Sequence, residues 1–295
     1  MPQLYCLNII MTNILPVSSV VASEALTSLY PITVKSVNLN LMTQTMTRMM
    51  TLAMFSSLFS NISILNSLSP RFAAISALQI FHILVSYKGF QNLSAGTSMT
   101  IFYTYPLFNV LIDNYKNGNN KHGINKTTIM MILIAMLGVF VISIPNIQES
   151  DKSKKVLIIG IIAMLLSALT ESMTYHFYKD EKQLNPFDSV LTMYMFGAIA
   201  LMLFYPFFME KGINTNKDIK KLFLANLLIG VIGFTLKYYG VPRMKTDIFS
   251  VLSFVGVIMA YVFGWYFQGE TITKYHIIGT ILILFSINQI YGMES

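Results

Sequence analysis

The chain has 295 residues, 54% of them hydrophobic and only 11% charged, with a mean hydropathy of +0.60 and a formal net charge of +7. Water-soluble domains carry about 25% charged residues, so this composition argues against a soluble domain and places the apolar surface in lipid. The basic residues sit mainly in polar connectors without interleaved stacking aromatics, which argues against a nucleic-acid partner, and the single Cys6 excludes an internal disulfide framework.

In chain order, apolar blocks lie near 14–34, 43–61, 72–91, 95–112, 127–145, 156–178, 188–208, 221–240, 247–267 and 274–292. Each is close to the roughly 20 residues a helix needs to cross the hydrocarbon core. Backbone groups in lipid must be paired within their own segment, so these blocks predict helices rather than isolated strands. The expectation is an all-α integral membrane protein with about ten transmembrane helices, crossing a membrane whose identity the sequence leaves open. The first block lacks the basic n-region of a signal peptide. Lys and Arg divide too evenly between the two sides to orient the termini.

The blocks also repeat. Tyr87 to Gly96 can be laid over Tyr238 to Asp247, and each is followed by a hydroxyl-dotted apolar span, a polar loop and a last apolar helix. This predicts two halves, 1–148 and 149–295, of five spans each. Five is odd, so the halves would enter the membrane from opposite sides, an arrangement common in secondary transporters.

The run from Ser250 to Glu270, continuing to Gly279, resembles the last two spans of EamA-type transporters of the drug/metabolite transporter superfamily. Gly269-Glu270 closing the ninth span and Gly279 early in the tenth carry the likeness, and Thr97 to Ile112 with Pro106 looks like the matching fourth span. Asn119-Asn120 stands where the first half would have Gly-Glu, and Gly256 replaces a proline common at that point. The resemblance implies a bundle of two inverted five-helix repeats working by alternating access. Family members move amino acids, metabolites, nucleotide sugars and sugar phosphates, so it implies an activity class and no substrate.

Ionisable groups inside a span are costly and usually face a cavity or a partner. Glu24 lies near the centre of the first span and Glu171 in the sixth, its counterpart in the other half; either could bind a substrate amine or carry a coupling proton. Tyr175 and Tyr178 share the face of Glu171 by helical spacing, although Tyr178 is also placed as an interfacial aromatic. Gln79 and His82 lie three apart in the third span, where packing is the simpler role and proton coupling by the histidine the sharper one. Tyr103 accompanies the hydroxyl face of Thr97, Thr100 and Thr104. The candidate substrate-binding residues are therefore Glu24, Gln79, His82, Tyr103, Glu171 and Tyr175. The stripe Ser253, Gly256, Ala260 and Gly264 reads as close helix packing. Arg48, Lys88, Lys237 and Arg243 read as snorkelling cations at span edges.

No nucleotide-binding loop, nucleophile elbow or metal-ligand cluster is present in the sequence, so neither an enzyme nor a primary pump is expected, and no cofactor or metal. The predicted function is secondary transport of a small polar metabolite. One alternative is a nucleotide-sugar or sugar-phosphate antiporter, expected to turn Lys88 or Lys237 toward the cavity. Another is a membrane-embedded partner protein that moves no solute. The expected partners are the lipid bilayer, the solute, and a coupling proton or counter-substrate, with a homodimer allowed.

Overall fold

Polar caps and prolines cut the apolar blocks into helices, which the computed structural model describes over residues 2–117, 126–148, 154–181, 184–208, 215–269 and 271–292. Asn119-Asn120 and Glu270 lie outside the described residues. Helix α1 (Pro2–Thr27) is followed by the short α2 (Tyr30–Lys35), with Pro31 in its first turn. Helix α3 (Leu41–Ser57) starts where the Asn40 side chain accepts the Thr43 amide. The single turn α4 (Ile64–Ser67) leads into α5 (Pro70–Asn92). Next comes a broken pair, α6 (Ala95–Phe102) and α7 (Tyr105–Asn117), interrupted at Tyr103-Thr104. Helix α8 (Lys126–Gln148) ends the first half of the chain.

The second half opens with α9 (Lys154–Lys179) and α10 (Pro186–Phe204); a reciprocal capping box of Asn185 and Asp188 starts α10. Helix α11 (Thr215–Ala225) passes through a π-helical stretch, Asn226–Ile232, into α12 (Gly233–Gly240). A second broken pair follows, α13 (Thr246–Leu252) and α14 (Val255–Gln268), interrupted at Ser253-Phe254. Gly269 ends α14 in the left-handed region, at φ 68°, where a residue without Cβ is favoured. Helix α15 (Lys274–Gly292) completes the described chain.

Among the described residues, five helical stretches are long and apolar enough to cross a membrane: Pro70–Asn92, Lys154–Lys179, Pro186–Phe207, Asn216–Arg243 and Ile248–Gln268. Their side chains are sorted for lipid. On α9, Ile158, Ile161, Ile162, Leu165 and Leu169 are exposed, while Gly160, Ala163, Ser167, Ala168 and Glu171 are buried. Small and polar residues therefore line the interior and large aliphatics the outside, as expected where lipid replaces water. Interior hydroxyls bond back to their own helix or across to another, as Ser86 Oγ does to Ser167 Oγ at 2.6 Å. Across the bundle α1 packs on α12, α3 on α10, α5 on α9, α6 on α14 and α8 on α15.

Candidate functional site

Three charged side chains meet where α1, α9 and α12 converge. Lys237 on α12 donates to Glu171 Oε1 on α9 at 2.5 Å and lies 3.5 Å from Glu24 Oε1 on α1. The break at Tyr103-Thr104 supplies the remaining partners of Glu24. Tyr103 Oη donates to Oε2 at 2.9 Å and Tyr105 Oη to Oε1 at 3.0 Å. The ammonium also sits 5.2 Å from the Tyr105 ring centroid and 5.6 Å from that of Phe249. Glu171 has a second neighbour in His82 of α5, whose Nε2 is 3.6 Å from Oε2, while His82 Nδ1 lies 2.9 Å from Thr170 Oγ1.

All of these groups are buried. Two carboxylates share one ammonium, so the triad carries one excess negative charge when all three are ionised. Beside it is a cavity of about 40 Å³, lined by Glu24, Glu171, Lys237, His82, Arg48 and Tyr30 among others. That is room for roughly two or three water molecules. A larger solute therefore requires the helices to part. Among the described residues, no group of three His, Cys, Asp or Glu side chains is placed to hold a metal ion.

The six candidates from the sequence divide here. Glu24, Glu171, His82 and Tyr103 come together in this cluster. Gln79 lies apart from the cavity lining and donates to Thr174 Oγ1 at 2.7 Å across the α5–α9 seam. Tyr175 stacks on Phe249, with ring centroids 4.6 Å apart, and is likewise not part of the lining. Tyr178 is no interfacial aromatic: it is 1% exposed and bonded to Thr192 at 3.0 Å.

The edge placement of two cations is corrected outright. Lys237 and Arg48 are both buried and both line the cavity, whereas Lys88 and Arg243 are exposed as expected. A charge within a predicted span was the available signal for both. Tyr105 was also missed as a site residue, because the helix break that turns its hydroxyl toward Glu24 leaves only Pro106 as a trace in the sequence.

Residues 158–291 match the EamA-like transporter family. The match covers Glu171, Lys237 and the second broken helix, and the chain is a multi-pass integral membrane protein of that transporter-like kind. No curated protein matches it. Among solved structures, one described only as "Crystal structure of protein" is similar with a TM-score of 0.73 at 12% identity. The similarity covers 92% of this chain and 95% of the other, and at that identity only the fold is shared. The shared fold therefore extends over the first half of this EamA-like chain as well as the second.

Proposed function

We propose that this EamA-like protein is a secondary carrier, neither enzyme nor pump, that moves a small polar metabolite by alternating access between two inverted five-helix halves. The observation that carries the proposal is the buried ion triad. Lys237 and Glu171 come from the second half and Glu24 from the first, so one network spans the junction beside the cavity. Charges at such depth cost several kcal/mol each to desolvate and are a poor device for stability alone.

The packing supports the two-half layout. Numbering the predicted spans one to ten, exchange of the halves turns the contact of the first with the eighth (α1 on α12) into that of the sixth with the third (α9 on α5). The contacts α3 on α10, α6 on α14 and α8 on α15 map onto themselves. Both broken helices occupy corresponding places, the fourth and ninth spans, and interrupted helices in matching positions are the feature expected around a carrier's binding site.

In this reading the closed state is held by Lys237 on its two carboxylates. Opening separates them, and a polar solute or a proton must replace what is lost. The solute's differential affinity for the two states is what drives the change. Lys237 on both carboxylates disfavours an amine exporter, whose carboxylates would be free of cations, and its place in the cavity lining is the one expected of the alternative, a nucleotide-sugar or sugar-phosphate antiporter.

The test is a thermal-unfolding screen of the purified protein with amino acids, polyamines, nucleobases, sugar phosphates and nucleotide sugars, followed by counterflow in liposomes. A bound solute at a hundredfold excess over its Kd stabilises by about 2.7 kcal/mol. The expected result is one class that stabilises the protein, is exchanged across the bilayer, and loses both effects in Glu171→Gln. A solute that binds but is never exchanged would refute transport and favour a membrane-embedded binding partner.

A further inference from the structure

Among the described residues, Arg48 is a buried cation that touches no carboxylate, although the net negative triad lies in the same cavity lining. It lies midway along α3 and is 3% exposed. Its guanidinium carbon is 4.2 Å from the ring centroid of Tyr30, 5.1 Å from Phe234 and 5.8 Å from Tyr87. Nη2 makes one long hydrogen bond, 3.4 Å to Tyr194 Oη, and the buried Nε has no hydrogen-bond partner. Among the described residues no carboxylate lies within 4 Å of it, although Lys237 in the same cavity has two. The hydroxyl of Tyr30, which lines the cavity too, is likewise buried without a hydrogen-bond partner.

Aromatic faces compensate such a charge only in part. A cation–π contact returns less than desolvating the ion costs. Arginine also has five N–H donors in a planar fork, which matches the two oxygens of a carboxylate or phosphate. Here aromatic side chains from four helices surround that fork and leave its buried Nε without a hydrogen-bond partner. The contrast with Lys237 decides which cation is available: Lys237 is held by two carboxylates, whereas among the described residues none touches Arg48.

We propose that Arg48 is the anion-docking residue of the cavity, receiving the carboxylate or phosphate group of the transported solute on its guanidinium fork. The inference rests on the carrier reading above and narrows it to solutes bearing an oxyanion.

The test uses the full-length protein with Arg48→Met and Arg48→Lys. Thermal unfolding is read with pyruvate, benzoate, glutamate, inorganic phosphate and glycerol 3-phosphate, and with benzamide and glycerol as uncharged counterparts. Without solute, Arg48→Met is expected to unfold no earlier than the parent, because an unpaired buried ion gives way to an apolar chain of similar length. At least one oxyanion is expected to stabilise the parent while its uncharged counterpart does not. Carboxylates and phosphates are thereby told apart. The dissociation constant should rise at least tenfold in Arg48→Lys, which keeps the charge and loses the fork, and at least a hundredfold in Arg48→Met. Should Arg48→Met fail to fold, Arg48→Lys carries the test with the same threshold. An oxyanion shift unchanged in the variants, an equal shift from the uncharged counterpart, or no shift from any oxyanion would each overturn the inference. Liposome uptake separates the two readings. An Arg48-dependent shift by an oxyanion that is never taken up would sink transport and leave the anion site standing. Uptake of an uncharged or amine solute, undiminished in Arg48→Met, would leave transport standing and sink the anion site.

Discussion

Substituting Gly256 by alanine is predicted to break the hydrogen bond between Tyr103 and Glu24 from a helix that supplies neither partner. Gly256 lies just past the break in the second broken helix, and the Tyr103 ring passes directly over it. A Cβ placed there would lie 1.6 Å from Tyr103 Oη, 2.3 Å from Cζ and 3.0 Å from Cε2. Ordinary contact begins near 3.4 Å, so the hydroxyl must retreat by roughly 2 Å, taken as the shortfall from van der Waals separation. The bond to Glu24 is 2.9 Å long and cannot stretch that far. A hydrogen bond to a charged group contributes about 1.5–3 kcal/mol. Forcing a methyl into a packed site costs about 1–3 kcal/mol more. Gly256→Ala should therefore destabilise the protein by about 2.5–6 kcal/mol. Tyr103→Phe alone should cost about 1.5–3 kcal/mol, the hydrogen-bond share. Reversible unfolding in detergent micelles measures both, and the double variant supplies the decisive comparison. Once Gly256→Ala has broken the bond, removing the hydroxyl also removes the closest clash. Gly256→Ala/Tyr103→Phe should then be no less stable than Gly256→Ala. Simple addition of the two single effects would refute this coupling and return Gly256 to the role of a helix-packing residue.

Three further outcomes follow from named contacts. Lys237→Met leaves Glu24 and Glu171 buried without their shared cation and should cost about 3–5 kcal/mol, with partial recovery when both carboxylates are also changed to Gln; thermal unfolding of the series checks this. Asp188→Ala removes an acceptor that holds Ser60 Oγ at 2.6 Å and the Asn61 amide at 2.7 Å, together with half of the α10 capping box. Its expected cost is about 1–2 kcal/mol, accompanied by faster amide exchange over residues 60–62, and unchanged exchange there would contradict it. Gly269→Ala meets no atom within 4 Å, so its predicted cost of about 1–2 kcal/mol is purely that of a left-handed backbone; Gly269→Asn should lose visibly less in the same unfolding assay.

Membrane character, helical class and half of the candidate cluster were legible in the residues themselves. Lipid demands apolar blocks of a set length, and any ionisable group inside one stands out, which is why Glu24, Glu171, His82 and Tyr103 could be named before their contacts were known. The same logic misplaced Arg48 and Lys237. Each lies within two turns of a predicted span end, where a long basic chain reaches the interface, and distance along one helix does not reveal what surrounds it. Tyr175 lies outside the cavity lining for a different reason. Four residues along a helix advance about 6 Å, enough to carry a side chain on the face of Glu171 out of the cavity and onto Phe249. Gly256 read as packing because one chain segment cannot show that a tyrosine from the other half needs the space. One-dimensional pattern thus determined which residues are too polar for lipid and which helices hold them. Only tertiary packing decided their partners, because Lys237 finds its carboxylates, and Arg48 its aromatic wall, among helices far apart in the chain.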